Sequence, residues 1–406
     1  MLTALPNALR LLLAALLWTK DPDSHLDLSP AYAPLRFQLR HEHAAAQGSR
    51  SLFADVPPSL LGQYHEIPIE NIKTHRIPSA AYSHARFLSM RDAQTPILAW
   101  DSVEILGPDV SKRRTLLELA TMTHNSYYAE PSHKNWYPIN GWNTSVPFGW
   151  EPDADGLRGH IFASEDNSTV VISIKGTSAP WIAGGEGPTK ARDKLNDNLL
   201  FSCCCARLGI TWSTVCGCYS GGDKCDQNCL EDSLTGDSLY YEIATNLYND
   251  VVYMYPNANI WLTGHSLGGA IASLVGVTFG APVVAFEVPG EKLAASAFAS
   301  APSTQHITHV YHTADPMAMG TCNGITSLCY VAGFAVETRC HLGQRILYDT
   351  VTHRGWSVES RHHSMKFLLD NLFNEDWDAE AGVEVPAVDV EEDCVECYNW
   401  EFGDFK

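Results

Sequence analysis

Asn259-Ile-Trp-Leu-Thr-Gly-His-Ser-Leu-Gly-Gly-Ala-Ile-Ala-Ser-Leu-Val-Gly-Val-Thr-Phe279 decides how this chain is read. Ile260 to Thr263 is apolar and β-prone, as a buried strand requires. Gly264, His265, Ser266, Leu267 and Gly268 follow as G-x-S-x-G, and Ala270 to Phe279 offers small and apolar residues for a packed helix. Strand, turn and helix in that order are the context that gives the pentapeptide meaning. A serine hydroxyl serves as a nucleophile only if a sharp turn projects it towards a base. Such a turn brings the backbone so close that a Cβ at positions 264 and 268 would clash. The N–H of Leu267, at the start of the helix, then faces the oxyanion formed on a substrate carbonyl. A glycine-rich corner with an idle serine is the plain alternative, and the flanking strand and helix outweigh it. Ser266 is the expected nucleophile.

The totals narrow the partners. The chain has 406 residues, 45% of them hydrophobic and 18% charged, so a globular fold is expected rather than disorder. A formal net charge of -20 argues against a nucleic-acid partner, because a polyanion would be repelled. It leaves a membrane surface open. Of the twelve cysteines, eleven lie between Cys204 and Cys397, which reads as disulfide usage in an oxidising compartment. A zinc site from Cys216, Cys218, Cys225 and Cys229, or from Cys394 and Cys397, is disfavoured by the irregular spacing, so no metal is expected. Asn143 and Asn167 each begin an N-x-S/T sequon and are the expected glycosylation sites.

Residues 1–20 contain Leu11-Leu-Leu-Ala-Ala-Leu-Leu-Trp18 and read as a secretory signal retained as an anchor. Residues 21–94 read as an extended, partly β extension, residues 95–375 as the catalytic domain and residues 376–406 as an acidic tail. Ser111 to Met122 has helical apolar spacing with Ser111 as N-cap. The aromatics from Tyr127 to Trp150 read as core. Thr169 to Ile174 is a β-branched run and an expected central strand. It ends in Lys175-Gly-Thr-Ser178, where a hydrolase supplies its second oxyanion N–H, so Thr177 is the expected donor. Residues 178–232 form a cysteine-rich insertion, and the helix from Ser238 to Tyr248 leads into the elbow strand.

A serine nucleophile needs an imidazole to take its proton and a carboxylate to orient that imidazole. In α/β-hydrolases the chain order is Ser, acid, His. Ile307 to His312 reads as a strand, and Asp315 follows its end, with Asp349 as the rival. His341, His353, His362 and His363 follow the acid. The last two precede an amphipathic helix from Ser364 to Phe373, and the residues themselves leave the choice within that pair open.

Four stretches carry a family resemblance: Ser-Ile-Lys-Gly-Thr-Ser (173–178), Asn-Asp-Asn-Leu-Leu-Phe-Ser-Cys-Cys-Cys (196–205), Thr-Gly-His-Ser-Leu-Gly-Gly (263–269) and Trp-Ser-Val-Glu-Ser-Arg-His-His (356–363). Together they resemble the fungal vacuolar lipases of autophagy, relatives of the class 3 lipases, over about Leu35 to Phe373. The resemblance implies an α/β-hydrolase whose triad falls on Ser266, Asp315 and, by the register of Trp-Ser-Val, His363, with His362 second. It implies a glycosylated luminal enzyme with a type II signal anchor in the endosomal or multivesicular-body membrane, delivered to the vacuole lumen. There it would lyse autophagic bodies. Leu39-Arg-His-Glu-His43 matches the family's histidine-rich motif only in part, and the acidic stretch Asp376 to Lys406 stands where the family has a Ser-rich tail.

The resulting expectation is a serine lipase or phospholipase without cofactor. Its substrates would be membrane phospholipid, phosphoinositide included, and triacylglycerol. A secreted soluble esterase of the feruloyl type, or an inactive scaffold that binds lipid, are the competing readings.

Overall fold

The computed structural model describes residues 35–46, 50–55, 65–77, 100–129, 133–137, 156–164, 167–178, 189–204, 215–234, 239–296 and 303–405, with backbone alone for the strands before residue 67. The expected anchor in residues 1–20 and the sequon at Asn143 lie outside the described residues.

In chain order the strands are β1 (Leu35–Ala46), β2 (Arg50–Asp55), β3 (His65–Ile67), β4 (Ile69–Arg76), β5 (Asp101–Pro108), β6 (Arg158–Ser164) and β7 (Thr169–Ile174). They continue with β8 (Lys224–Asp226), β9 (Asn259–His265), β10 (Val283–Phe286), β11 (Ile307–His312), β12 (Gln344–Tyr348) and β13 (Glu401–Gly403). The helices that matter here are α1 (Arg113–Asn125), α2 (Lys190–Leu200), α3 (Tyr240–Met254), α4 (Leu267–Phe279) and α5 (Met365–Asn371).

Among the described residues the main sheet has the order β12-β11-β10-β9-β7-β6-β1-β2, with β3 beside β1. β12, β11, β10, β9 and β7 run parallel, and β6, β1, β2 and β3 continue the sheet antiparallel. The parallel strands read as continuous apolar runs because both of their faces are covered. In β7, Val170, Ile172 and Ile174 enter one apolar cluster and Val171 the other; in β9, Ile260 and Leu262 oppose Trp261 in the same way. Ile243, Leu247 and Val251 of α3 and Ile271 and Leu274 of α4 close the first face, while Leu116 and Leu119 of α1 and Leu368 and Leu369 of α5 close the second. Each such side chain taken out of water contributes about 1.5–3 kcal/mol. A parallel sheet sandwiched by helices, with β9 running straight into α4, is the α/β-hydrolase architecture expected above.

Three details differ from the sequence reading or extend it. The helix expected from Ser111 begins at Arg113, and its N-cap, Lys112, makes no side-chain bond. The Ser111 hydroxyl instead donates to Asp109 Oδ1 at 2.6 Å, so the neighbouring carboxylate outcompetes the helix end for it. Residues 35–55, read as an extension, supply β1 and β2; β1 pairs with the free edge of β6 from Phe37↔Ser164 to Ala44↔Arg158. A sheet edge left unpaired is a liability, and this pairing covers it. The acidic tail is also tied down: Cys394 bonds Cys340, Cys397 bonds Cys203, and β13 pairs with β8. Cys204–Cys225, Cys218–Cys229 and Cys322–Cys329 are the other bridges among the described residues, and none of the described cysteines is free. No helix among the described residues is long and apolar enough to cross a membrane.

Candidate active site

The corner between β9 and α4 holds Ser266 in a backbone conformation that side-chain-bearing residues rarely adopt, with φ 53° and ψ -126°. Such strain costs about 1–3 kcal/mol and persists only where the surroundings over-determine it. Here they do. The Ser266 N–H donates to the Phe286 carbonyl at 3.0 Å. A Cβ on Gly264 would stand 2.5 Å from the Gly268 backbone, and one on Gly268 would stand 2.3 Å from the Ile174 carbonyl. Only glycines allow the turn to close against β7.

A 3-10 turn, Ser360–His363, precedes α5 and delivers a histidine to this corner. His363 Nε2 lies 2.9 Å from Ser266 Oγ, and His363 Nδ1 lies 2.6 Å from Asp315 Oδ2. The carboxylate can only accept, so Nδ1 carries the proton and Nε2 is left as acceptor for the serine hydroxyl. Asp315 follows β11, and its other oxygen accepts the Met317 N–H at 2.9 Å. Burial alone would raise the Asp315 carboxyl, but the His363 imidazole and its hydrogen bond outweigh it and hold the group well below the ordinary carboxylate range. Three residues far apart in the chain are thus hydrogen-bonded in the order a proton relay needs.

The other candidates sit elsewhere. His362 turns its ring onto Phe367, stacked at a centroid distance of 4.3 Å. Asp349 caps the short helix Thr350–Arg354, accepting the Thr352 N–H at 3.2 Å. Asn167 is exposed in the turn between β6 and β7. The grouping of Cys340, Glu391 and Cys394 would need thiolates to hold a metal ion, and the Cys340–Cys394 bond removes them.

Leu267 is the first residue of α4, where an N–H has no partner four residues back and is open to an anion. Thr177 faces the same cleft. Its turn is pinned by a buried polar network: Thr177 Oγ1 donates to Asp197 Oδ2 at 2.7 Å, and the Ser178 N–H donates to Asp193 Oδ2 at 2.7 Å. Lys175 Nζ adds a bond to the Ser178 hydroxyl at 2.6 Å. Burial pushes the Asp197 carboxyl up to about 8, against the bond from Thr177 that lowers it. Beside Ser266 the cleft is walled by Phe201, Pro289, Met317, Phe334 and Val336, an apolar lining suited to an acyl chain.

Several further residues belong to this centre. Tyr127, taken as core, donates from Oη to His265 Nδ1 at 2.6 Å, and His265 Nε2 donates to the His363 carbonyl at 2.7 Å. Asp193 and Asp197 had a signal, two acids one helical turn apart in α2, the helix that follows the Gly-Thr turn. Glu287 had none beyond its place after an apolar strand.

The chain is similar to known proteins along most of its length. The family model described as lipase (class 3) matches residues 223–320. A relative from Cryptococcus neoformans var. neoformans serotype D (strain B-3501A), bearing the ATG15 lipase name, is 48% identical over 375 residues, covering 77% of this chain and 72% of its own. The chain belongs to the ATG15 lipase family. Another ATG15 lipase relative, from Saccharomyces cerevisiae (strain ATCC 204508 / S288c), is 45% identical over 314 residues, 75% of this chain and 59% of its own length. Among solved structures, the Lip2 lipase of Yarrowia lipolytica superposes with a TM-score of 0.30 at 15% identity, over 58% of this chain and 78% of its own. The Rhizomucor miehei lipase propeptide complex gives a TM-score of 0.27 at 12% identity, over 80% of this chain and 87% of its own. Those superpositions are loose, and the strand order carries the fold. Membership of the ATG15 family and the α/β-hydrolase fold are those of a lipid-ester hydrolase.

Proposed function

We propose that this chain is a serine lipase or phospholipase acting on acyl esters of membrane glycerolipids. The observation that carries the reading is the bridge made by His363, 2.9 Å from Ser266 Oγ and 2.6 Å from Asp315 Oδ2, on a strained corner. Ser266 Oγ attacks the ester carbonyl while its proton passes to His363 Nε2. The oxyanion is received by the N–H groups of Leu267 and Thr177. The imidazolium, stabilised by Asp315, returns the proton to the departing alcohol and leaves an acyl group on Ser266. Water, deprotonated by His363, attacks that acyl-enzyme and frees the fatty acid. The chemistry needs no metal or organic cofactor.

The choice of membrane phospholipid and triacylglycerol as substrates draws on the apolar lining of the cleft and on the family. The lysis of autophagic bodies and multivesicular-body vesicles in the vacuole draws on the family alone; the type II anchor at residues 1–20 draws on the apolar run there, and glycosylation at Asn143 and Asn167 on their sequons. The test is fatty-acid release from phosphatidylserine or phosphatidylethanolamine liposomes and from a triacylglycerol emulsion. Release that disappears in Ser266→Ala supports the reading. Turnover of soluble esters alone moves it to an esterase, and no turnover together with no fluorophosphonate labelling of Ser266 overturns it.

A further inference from the structure

One acid in this centre has no part in the reaction above. Glu287 directly follows β10 and is fully buried. Its backbone is left-handed, with φ 46°, an arrangement that costs a non-glycine residue about 1–3 kcal/mol. The position is bolted at both sides. The Glu287 N–H donates to the Val310 carbonyl of β11 at 3.0 Å, and the preceding carbonyl, that of Phe286, accepts the Ser266 N–H at 3.0 Å. Strain and burial together place an acid between the strand beside the nucleophile and the strand that leads to Asp315.

Counted as an anion, that acid is badly placed. Neither carboxyl oxygen has a well-formed hydrogen bond among the described residues, and the backbone N–H of His312, which favours the anion, is the least of the influences on it. Among the described residues, the nearest group able to carry positive charge is His312 Nε2, at 3.8 Å, and its proton is directed at the His362 carbonyl at 3.2 Å. Burial drives the His312 imidazole down to about 4, so it is neutral. An uncompensated buried carboxylate costs several kcal/mol. The charged group that bears most on the Glu287 carboxyl is the Asp315 carboxyl. Two carboxylates only accept, so that contact is repulsive unless one of them keeps its proton. Asp315 already faces the His363 N–H and the Met317 N–H, both of which favour its anion. The proton therefore belongs on Glu287, whose carboxyl is raised well above the ordinary range by burial and by the Asp315 charge. Counting a proton there resolves the missing partner, because a neutral carboxyl donates.

We propose that Glu287 is a positioning residue, a neutral carboxyl locked between β10 and β11 that donates its O–H to Asp315 and so fixes the carboxylate that orients His363. This rests on the reaction proposed above and extends its relay by one member. The titratable groups that bear on Glu287 are Asp315 and His312, and His363 through Asp315; His265 of β9 bears on His363 in turn, with ring centroids 4.7 Å apart. A glutamine keeps a donor at this position and a leucine does not.

The experiment compares wild type, Glu287→Gln and Glu287→Leu by infrared difference spectroscopy at neutral pH, and by the pH dependence of kcat/KM on a soluble short-chain ester. The expected result is a neutral-carboxyl band in wild type that both variants lack. Glu287→Leu should lose on the order of tenfold or more in kcat with KM little changed, the value of one hydrogen bond to a charged group. Glu287→Gln should recover most of that loss and keep the acid limb of the profile within roughly half a pH unit of wild type, since it removes no charge. A missing wild-type band overturns the proposal. So does an acid limb that moves down by about one pH unit or more in Glu287→Gln, which would mean that an anion had been removed. Should Glu287→Leu fail to fold by thermal melting, the band and the Glu287→Gln profile still decide. Should wild type turn over no ester at all, the proposed reaction fails, while the band still tests the Glu287–Asp315 contact.

Discussion

His265 Nε2 donates to the His363 carbonyl at 2.7 Å, so the residue before Ser266 holds the turn that carries His363. The other ring nitrogen accepts from Tyr127 Oη at 2.6 Å. His312 does the same one residue earlier, donating from Nε2 to the His362 carbonyl at 3.2 Å. The ends of β9 and β11 thus clamp the 3-10 turn by two imidazoles, each kept neutral by burial, His265 well below the usual value and His312 at about 4. The variable position before the serine in G-x-S-x-G thus supports His363, the proposed base.

Removing that clamp should slow the chemistry more than it weakens binding. His265→Leu is expected to lower kcat on the order of tenfold, with KM little changed, since a buried hydrogen bond is worth about 1–3 kcal/mol. Tyr127→Phe should lose less, because His265 keeps its bond to the turn. Steady-state kinetics and the rate of fluorophosphonate labelling of Ser266 measure both. Equal labelling rates in wild type and His265→Leu would show that the turn holds itself.

The relay separates the two adjacent histidines. Ser266→Ala and His363→Ala are each expected to lose on the order of 10⁴-fold or more in kcat, and Asp315→Asn a comparable amount. His362→Ala should keep most of the activity and instead lower the melting temperature, because its ring is stacked on Phe367. A His362→Ala enzyme as inactive as Ser266→Ala would reassign the base.

The turn after β7 leads to a pH prediction. Asp197 is raised by burial from its ordinary 3.8 to about 8, so the native state keeps a proton that the unfolded chain releases. Its contribution to stability is fully present below about 4 and is lost as pH rises through about 8. Asp197→Asn has no proton to lose, so its urea midpoint should fall less than wild type's between about pH 5 and pH 8. Thr177→Val, which removes the hydroxyl that meets Asp197, should lower kcat on the order of tenfold by loosening the turn proposed to receive the oxyanion. Parallel urea midpoints for wild type and Asp197→Asn across that range would refute the titration.

The bridges of the tail should count for stability rather than chemistry. Cys340–Cys394 and Cys203–Cys397 close chain separations of 54 and 194 residues. Replacing either pair by alanine should cost about 2–5 kcal/mol, read as a lower melting temperature. It should also expose the acidic segment around β13 to limited proteolysis. An unchanged melting temperature in both double variants would mean that the β13–β8 pairing suffices.

Much of the framework was legible from residues alone. β7 covers Thr169 to Ile174, the span its β-branched run predicted, and β11 covers Ile307 to His312, the span read as a strand. Burial on both faces writes itself into composition, so such strands are easy to read. The corner at Ser266 was equally plain, because close backbone approach admits only glycine at 264 and 268, and that demand is local. What only the tertiary structure decided depends on partners distant in sequence. His362 and His363 are neighbours with the same chemistry, and what separates them is the direction each ring takes from one 3-10 turn, towards Phe367 or towards Ser266, 97 positions away. The pairing of the cysteines, the joining of β1 to β6 and the demand on Glu287 for a proton are of the same kind. Each is set by what packs against a group once the chain has closed, and a residue's type and spacing carry no record of that contact.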